Sequence, residues 1–393
     1  MKKILSGLFK YHLIPIILSI LLIYCLNAVA SRYIVIGNAA ETEIVSGVAV
    51  SERGMFNNCT KKQAEIELMG SLQDKSKLSV FGSSELQDLP YSCFLFLPDS
   101  MGIKTTGFGH AYHQNLSIAC ELLAAGDKLN GANVCVILSP GWFESEGTNI
   151  EAFLEFVRPN FIRSIVHNPS IPKKDKLHIA NYVHDHFSDI NDPSNELIYL
   201  NSMSMYENKK WIPNTFEKYS LQRLKKVEYR VTSKKTGKKT PFPVDWELTK
   251  NRLQQEFLKT CTNNSIYVDS FYYTTYLLKD GKFSKSKMDP VELGDEFNDF
   301  KLVVEILKRH HCNATFVLQP LNPYNYDDLS QFDHVRSQIK SELKKAGFPL
   351  LDMYVTNTKE YTPGILKDIM HPSNRGWMEI NAFLTDHYKK LYE

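Results

Sequence analysis

Short apolar runs, each stopped by small or turn-forming residues, recur along the chain after residue 75: Leu78 to Phe81, Cys93 to Leu97, Asn133 to Leu138, Ala314 to Leu318 and Pro349 to Tyr354. Runs that are apolar at nearly every position predict strands buried on both faces, as in a parallel sheet. Between them the period changes. Gln114 to Leu129 sets Leu116, Cys120, Leu123 and Ala124 at helical spacing, and Phe297 to His310 does the same with Phe300, Val303, Val304 and Leu307. This alternation predicts an α/β fold, a three-layer, doubly wound and mostly parallel sheet, whose active site belongs at the carboxyl ends of the strands.

Two stretches fall outside that rhythm. Residues 31–75 read as a connector with helical character around Ala64 to Leu72, and residues from about 141 to 290 read as an insertion within an exported domain of residues 76–393. The insertion carries a basic run, in which Arg223, Lys225, Lys226, Arg230, Lys234, Lys235, Lys238 and Lys239 face the single anion Glu228. Such a run is either a solvated loop or a landing strip for an anionic polymer or membrane surface.

The amino terminus has a different pattern again. Leu13 to Ala30 is free of charge over 18 residues, a length that as a helix spans about 27 Å of hydrocarbon. Lys2, Lys3 and Lys10 precede it and Arg32 follows. That charge bias holds residues 1–12 in the cytoplasm, makes 13–30 a single-pass anchor, and exports the rest. Ala28-Val29-Ala30 also fits a signal-peptide cleavage site; export follows under either reading.

Composition narrows the classes. Hydrophobic residues make up 43% and charged residues 23%, values that exclude a disordered chain, a collagen or a polytopic membrane bundle. The net charge is only +2, so no global field marks a nucleic-acid binder. The seven cysteines include no C-x-x-C pair, and Cys93 and Cys135 sit in apolar stretches where a reduced thiol packs as a small hydrophobe. No metal-ligand set or cofactor fingerprint is legible: His310 and His311 are adjacent on a predicted helix and diverge, and Gly107-x-Gly109 lacks the third glycine of a dinucleotide loop.

Chemistry concentrates at two places. Gly82-Ser83-Ser84-Glu85 ends the first predicted strand, where a serine on a sharp turn projects its hydroxyl at the sheet edge and backbone N–H groups face a developing oxyanion. An ordinary turn capped by Ser84 is the competing reading. Near the other end, Asp368-Ile369-Met370-His371 spaces a carboxylate three residues from an imidazole. The carboxylate can then fix the ring tautomer and leave Nε2 free to take a serine proton. His110 and His113 stand by as spare bases without a carboxylate at comparable spacing.

These residues, in this order, resemble the SGNH (GDSL-like) hydrolase superfamily, and within it the DltD family of D-alanyl transfer to teichoic acids. The resemblance rests on Gly82 to Glu85, on Ser139-Pro140-Gly141-Trp142-Phe143, on Gln319-Pro320-Leu321-Asn322-Pro323-Tyr324, and on the amino-terminal anchor. It implies Ser84 as nucleophile with His371 and Asp368 as its triad partners, and Ser83, Trp142, Phe143 and Asn322 around the substrate. Two departures stand out. No asparagine in residues 139–143 supplies the superfamily's oxyanion amide, and Gly141 stands where the DltD pattern tends to have Gln. The oxyanion hole then rests on backbone N–H groups of Ser84 and Gly109.

The function implied is a membrane-anchored, extracytoplasmic serine acyltransferase or esterase in D-alanylation of lipoteichoic acid. The implied partners are a membrane-bound O-acyltransferase of that pathway, the polymer and the lipid bilayer, with no nucleic acid and no cofactor. Two alternatives remain open at the level of sequence: an O-acetyltransferase or esterase on another cell-surface glycan, and a non-catalytic scaffold that presents the polymer to the membrane acyltransferase.

Overall fold

The computed structural model describes residues 9–26, 44–45, 48–50, 59–86, 89–144, 147–186, a few positions between 198 and 205, and 243–391. The basic run at 223–239 and most of the 31–75 connector lie outside the described residues. Six strands form the central sheet: β1 (Val48–Val50), β2 (Lys77–Phe81), β3 (Lys104–Phe108), β4 (Asn133–Leu138), β5 (Asn313–Leu318) and β6 (Leu350–Asp352), in the order β6-β5-β4-β2-β3-β1. All neighbours pair in parallel except β1, which closes the β3 edge antiparallel. Crossovers to both sides of β2 reverse the winding there, which opens a crevice at the carboxyl ends of β2 and its neighbours.

The sheet is buried on both faces, and each strand divides its side chains between two cores. Val134, Val136, Leu138, Ala314, Phe316 and Leu318 pack with helices α1 (Lys61–Gln73), α2 (Asn115–Ala125), α4 (Asp295–Arg309) and α5 (Asp333–Ala346). The alternate positions Leu78, Val80, Cys135, Ile137 and Val317 pack with α3 (Trp246–Leu258) and α6 (Asn374–Tyr388), with Trp377, Met378 and Leu384 prominent. This period of two under a continuous apolar run is what a three-layer α/β architecture requires.

Three expectations change. The run Cys93–Leu97 is helical over Cys93–Phe96 and continues into a π-turn at Leu97–Met101. Cys93, Phe94, Phe96 and Leu97 are the buried positions, a spacing that fits one helix face, and so short a run cannot be assigned by apolarity alone. Strand β3 went unpredicted because its sequence, Lys-Thr-Thr-Gly-Phe, is not apolar. Its threonines are β-branched and fully buried, and Thr105 turns its hydroxyl to the Ile103 carbonyl at 3.1 Å. His310 and His311 lie just past the end of α4, His311 at φ +50°.

Residues 14–26 are helical, and Ile16, Leu18, Ile20, Leu22 and Ile23 stand exposed along them. No described helix is long and apolar enough to cross a membrane: residues 14–26 rise about 20 Å against a hydrocarbon core of about 30 Å.

Candidate active site

The carboxyl ends of five strands converge on one place. Ser84 follows β2, Gly109 follows β3, Trp142 follows β4, Asn322 follows β5, and the chain beyond β6 returns with Asp368 and His371. Gly107 thus lies within a strand and Gly109 directly follows it, which their sequence context had not indicated.

The segment around Asp368 is a self-braced hairpin. The Lys367 N–H donates to the His371 carbonyl at 2.9 Å and the Ser373 N–H to the Ile365 carbonyl at 3.0 Å. Inside it, Asp368 Oδ1 accepts the backbone N–H groups of Met370 (2.9 Å) and His371 (2.7 Å). Its second oxygen, Oδ2, lies 2.8 Å from His371 Nδ1. One carboxylate therefore folds the turn and orients the ring it serves. Burial alone would raise the Asp368 carboxyl, but its bond to His371, that ring's charge and the two backbone donors outweigh it and hold the group below its usual range.

The other ring nitrogen completes a relay. His371 Nε2 lies 2.9 Å from Ser84 Oγ, across 287 residues of sequence. With Nδ1–H donated to Asp368, Nε2 is the acceptor and the serine hydroxyl the donor. His371 is about one-fifth exposed and Ser84 half-buried, so the relay opens to solvent on one side.

Around Ser84 the turn is tightly held. The Gly82 N–H donates to the Phe108 carbonyl at 3.1 Å, and Ser83 directs its hydroxyl inward to the His110 carbonyl at 3.0 Å. The Ser83 N–H donates to Glu85 Oε1 at 2.6 Å. Burial pushes the Glu85 carboxyl above its usual range. Gly109 has φ +151°, and a Cβ there would come within 1.9 Å of the Gly82 carbonyl oxygen. Only glycine allows the β3 terminus to approach the Gly82–Ser84 turn so closely.

The remaining expected residues brace the site more than they line it. Phe143 is fully buried, with ring centroids 5.8 Å from Phe332 and 6.4 Å from Phe300, and Trp142 joins the same core. Asn322 is also buried; its Nδ2 donates to the Ile266 carbonyl at 2.8 Å and its Oδ1 accepts the Tyr324 N–H at 2.9 Å. Its backbone N–H reaches the Ile369 carbonyl at 3.0 Å, tying the β5 loop to the Asp368–His371 turn. Sequence reasoning missed one pairing: His113 does have a carboxylate partner, Glu121, at 3.2 Å.

A family model described as "DltD protein" matches residues 56–389. The chain belongs to the DltD family. The protein named Protein DltD from Bacillus subtilis is 22% identical over 396 residues, covering 95% of this chain and 96% of that one. Protein DltD from Staphylococcus aureus is 22% identical over 362 residues, covering 86% and 89%. The DltD match contains Ser84, Asp368 and His371 together.

Proposed function

We propose that this chain takes part in D-alanylation of teichoic acid, as a serine acyltransferase or esterase of SGNH type acting outside the membrane. Membership of the DltD family supports the pathway; the Ser84–His371–Asp368 relay, with its 2.9 Å and 2.8 Å contacts, is the observation that carries the chemistry. Ser84 Oγ attacks the carbonyl carbon of a D-alanyl donor as its proton passes to His371 Nε2, and Asp368 steadies the imidazolium that results. The tetrahedral oxyanion is held by backbone N–H groups of Ser84 and Gly109, in place of the side-chain amide that residues 139–143 do not supply. Collapse breaks the bond to the donor's leaving group, which takes the proton from His371, and leaves a D-alanyl ester on Ser84. A hydroxyl of the polymer then attacks that ester, with His371 as base, and frees Ser84.

The apolar segment from Leu13 anchors the chain in the bilayer and docks it beside a membrane-bound O-acyltransferase of the same pathway, which hands over the acyl group. An exported active site has no access to a cytosolic donor, so delivery passes through that partner. The basic run at 223–239 suits a poly(glycerol phosphate) chain of lipoteichoic acid.

Intact-protein mass spectrometry after incubation with a D-alanyl thioester tests the reading. The expected result is one D-alanyl adduct on the wild-type chain and none on Ser84→Ala. An adduct from an acetyl donor alone would move the substrate to another glycan. Undiminished ester-linked D-alanine on the wall polymer of cells carrying Ser84→Ala would leave a scaffold in place of an enzyme.

A further inference from the structure

A second histidine–carboxylate pair lies directly beneath the nucleophile turn, and the relay makes no use of it. His113 is fully buried and packs against Phe156 at a centroid distance of 4.3 Å, the rings tilted by 41°. Its Nδ1 lies 3.0 Å from the Gly82 carbonyl oxygen and its Nε2 lies 3.2 Å from Glu121 Oε2 on α2. A carbonyl oxygen and a carboxylate both accept, so the two contacts are satisfied together when the ring carries a proton on each nitrogen. Burial disfavours that charge, but Glu121, the Gly82 carbonyl and the nearby Glu85 outweigh it and raise His113 above its usual range.

The Gly82 carbonyl belongs to the same peptide unit as the Ser83 N–H. That N–H is the group held by Glu85 Oε1 at 2.6 Å. One rigid plane, the one preceding the Ser83–Ser84 peptide, is thus gripped at its oxygen by an imidazole N–H and at its hydrogen by a carboxyl.

We propose that His113 is a positioning residue for Ser84: held by Glu121, it clamps the Gly82–Ser83 peptide against Glu85 and so sets the approach of the Ser84 hydroxyl to His371. This rests on Ser84 being the nucleophile. The Gly82 N–H on Phe108 and the Ser83 hydroxyl on His110 hold the turn to either side of this plane, while His113 and Glu85 hold the plane itself, and a displacement near 1 Å at a reacting atom costs about 100-fold in rate.

The test is the rate at which a fluorophosphonate probe labels Ser84 in the full-length chain. In that reaction the Ser84 oxygen bonds to phosphorus, fluoride leaves, and the proton goes to His371. His113→Phe keeps a ring and removes both donors; His113→Asn keeps an N–H able to reach the Gly82 oxygen. The expected result is a maximal labelling rate about 100-fold lower for His113→Phe at an unchanged half-saturating probe concentration. His113→Asn should recover most of that loss although it melts no higher than His113→Phe. A purely structural role predicts the reverse, with both variants labelled alike or in step with their melting temperatures, and either outcome overturns the proposal.

Glu121→Gln covers the case in which His113→Phe does not fold. It should slow labelling about tenfold, the difference between a charge-assisted and a neutral hydrogen bond; a wild-type rate there refutes the clamp. If the wild-type chain takes no label at Ser84, the nucleophile assignment itself fails. Labelled wild type with equally labelled variants removes only the clamp.

Discussion

At the scale of single residues, the relay depends on which atom of Asp368 faces which donor. Oδ1 is committed to the backbone N–H groups of Met370 and His371, so Oδ2 is the atom left for the ring. Asp368→Asn would keep its carbonyl oxygen on those two N–H groups and turn its NH2 toward Nδ1. The ring would then accept at Nδ1 and carry its proton on Nε2, where it cannot take the one from Ser84. The expected loss in Ser84 acylation is about 10⁴-fold, the cost of the same tautomer reversal in serine proteases, with the circular dichroism spectrum unchanged; a loss under tenfold would mean that Asp368 does not govern the tautomer. These three residues were legible in the sequence because each half of the relay is a local motif, a turn serine and an Asp-x-x-His hairpin. The His113–Glu121 pair was not, since its eight-residue spacing runs from a loop into a helix and only folding brings the two together.

Among elements, the close approach of two strand termini matters most. Gly109 closes β3 against the Gly82 carbonyl that closes β2, with φ +151° and 1.9 Å of clearance for an added Cβ. Gly109→Ala should therefore combine backbone strain of about 1–3 kcal/mol with a displacement of the Gly82–Ser84 turn. Gly131→Ala is the matched control, because Gly131 also has positive φ (+67°) but meets nothing within 4 Å. It should lose about 1 kcal/mol in urea denaturation and keep full acylation, whereas Gly109→Ala loses both stability and acylation. Equal behaviour of the two would show that the contact with Gly82 is immaterial. The strands that flank this junction differ in legibility for a physical reason. β2, β4 and β5 are apolar runs buried on both faces, whereas β3 satisfies the same burial with two threonines, Thr105 bonding its hydroxyl to the Ile103 carbonyl, and its polar composition hides it.

For the whole molecule, the distribution of buried acids sets a stability profile with an unusual shape. Glu296 and Asp299, both buried on α4, sit beside each other with Asn115, Thr148 and His178 as partners. Burial, then the Asp299 charge, pushes Glu296 up from 4.5 to about 8. A carboxyl raised in the folded state binds its proton there before it does in the unfolded chain, so stability rises as pH falls from about 8 toward 4.5. His113 and His178 are raised from 6.5, and their contribution is also lost as pH climbs through the raised values, which reinforces the same slope. Two groups oppose it at the acid end. Asp368 and Glu379 are depressed below 3.8 and 4.5, Glu379 because its bonds to Lys250 and Arg375 outweigh its burial. Their contribution is complete above those ordinary values and disappears as pH falls through the depressed ones. The melting temperature should climb from pH 8 to about pH 5 and then drop steeply below about pH 4. Glu296→Gln isolates the cause. It keeps an acceptor for Asn115 while removing the charge that faces Asp299, so it should raise the melting temperature at pH 8 and leave it unchanged at pH 5. A wild-type profile that declines steadily from pH 8, or a variant equally shifted at both pH values, would place the titrating groups elsewhere in the molecule.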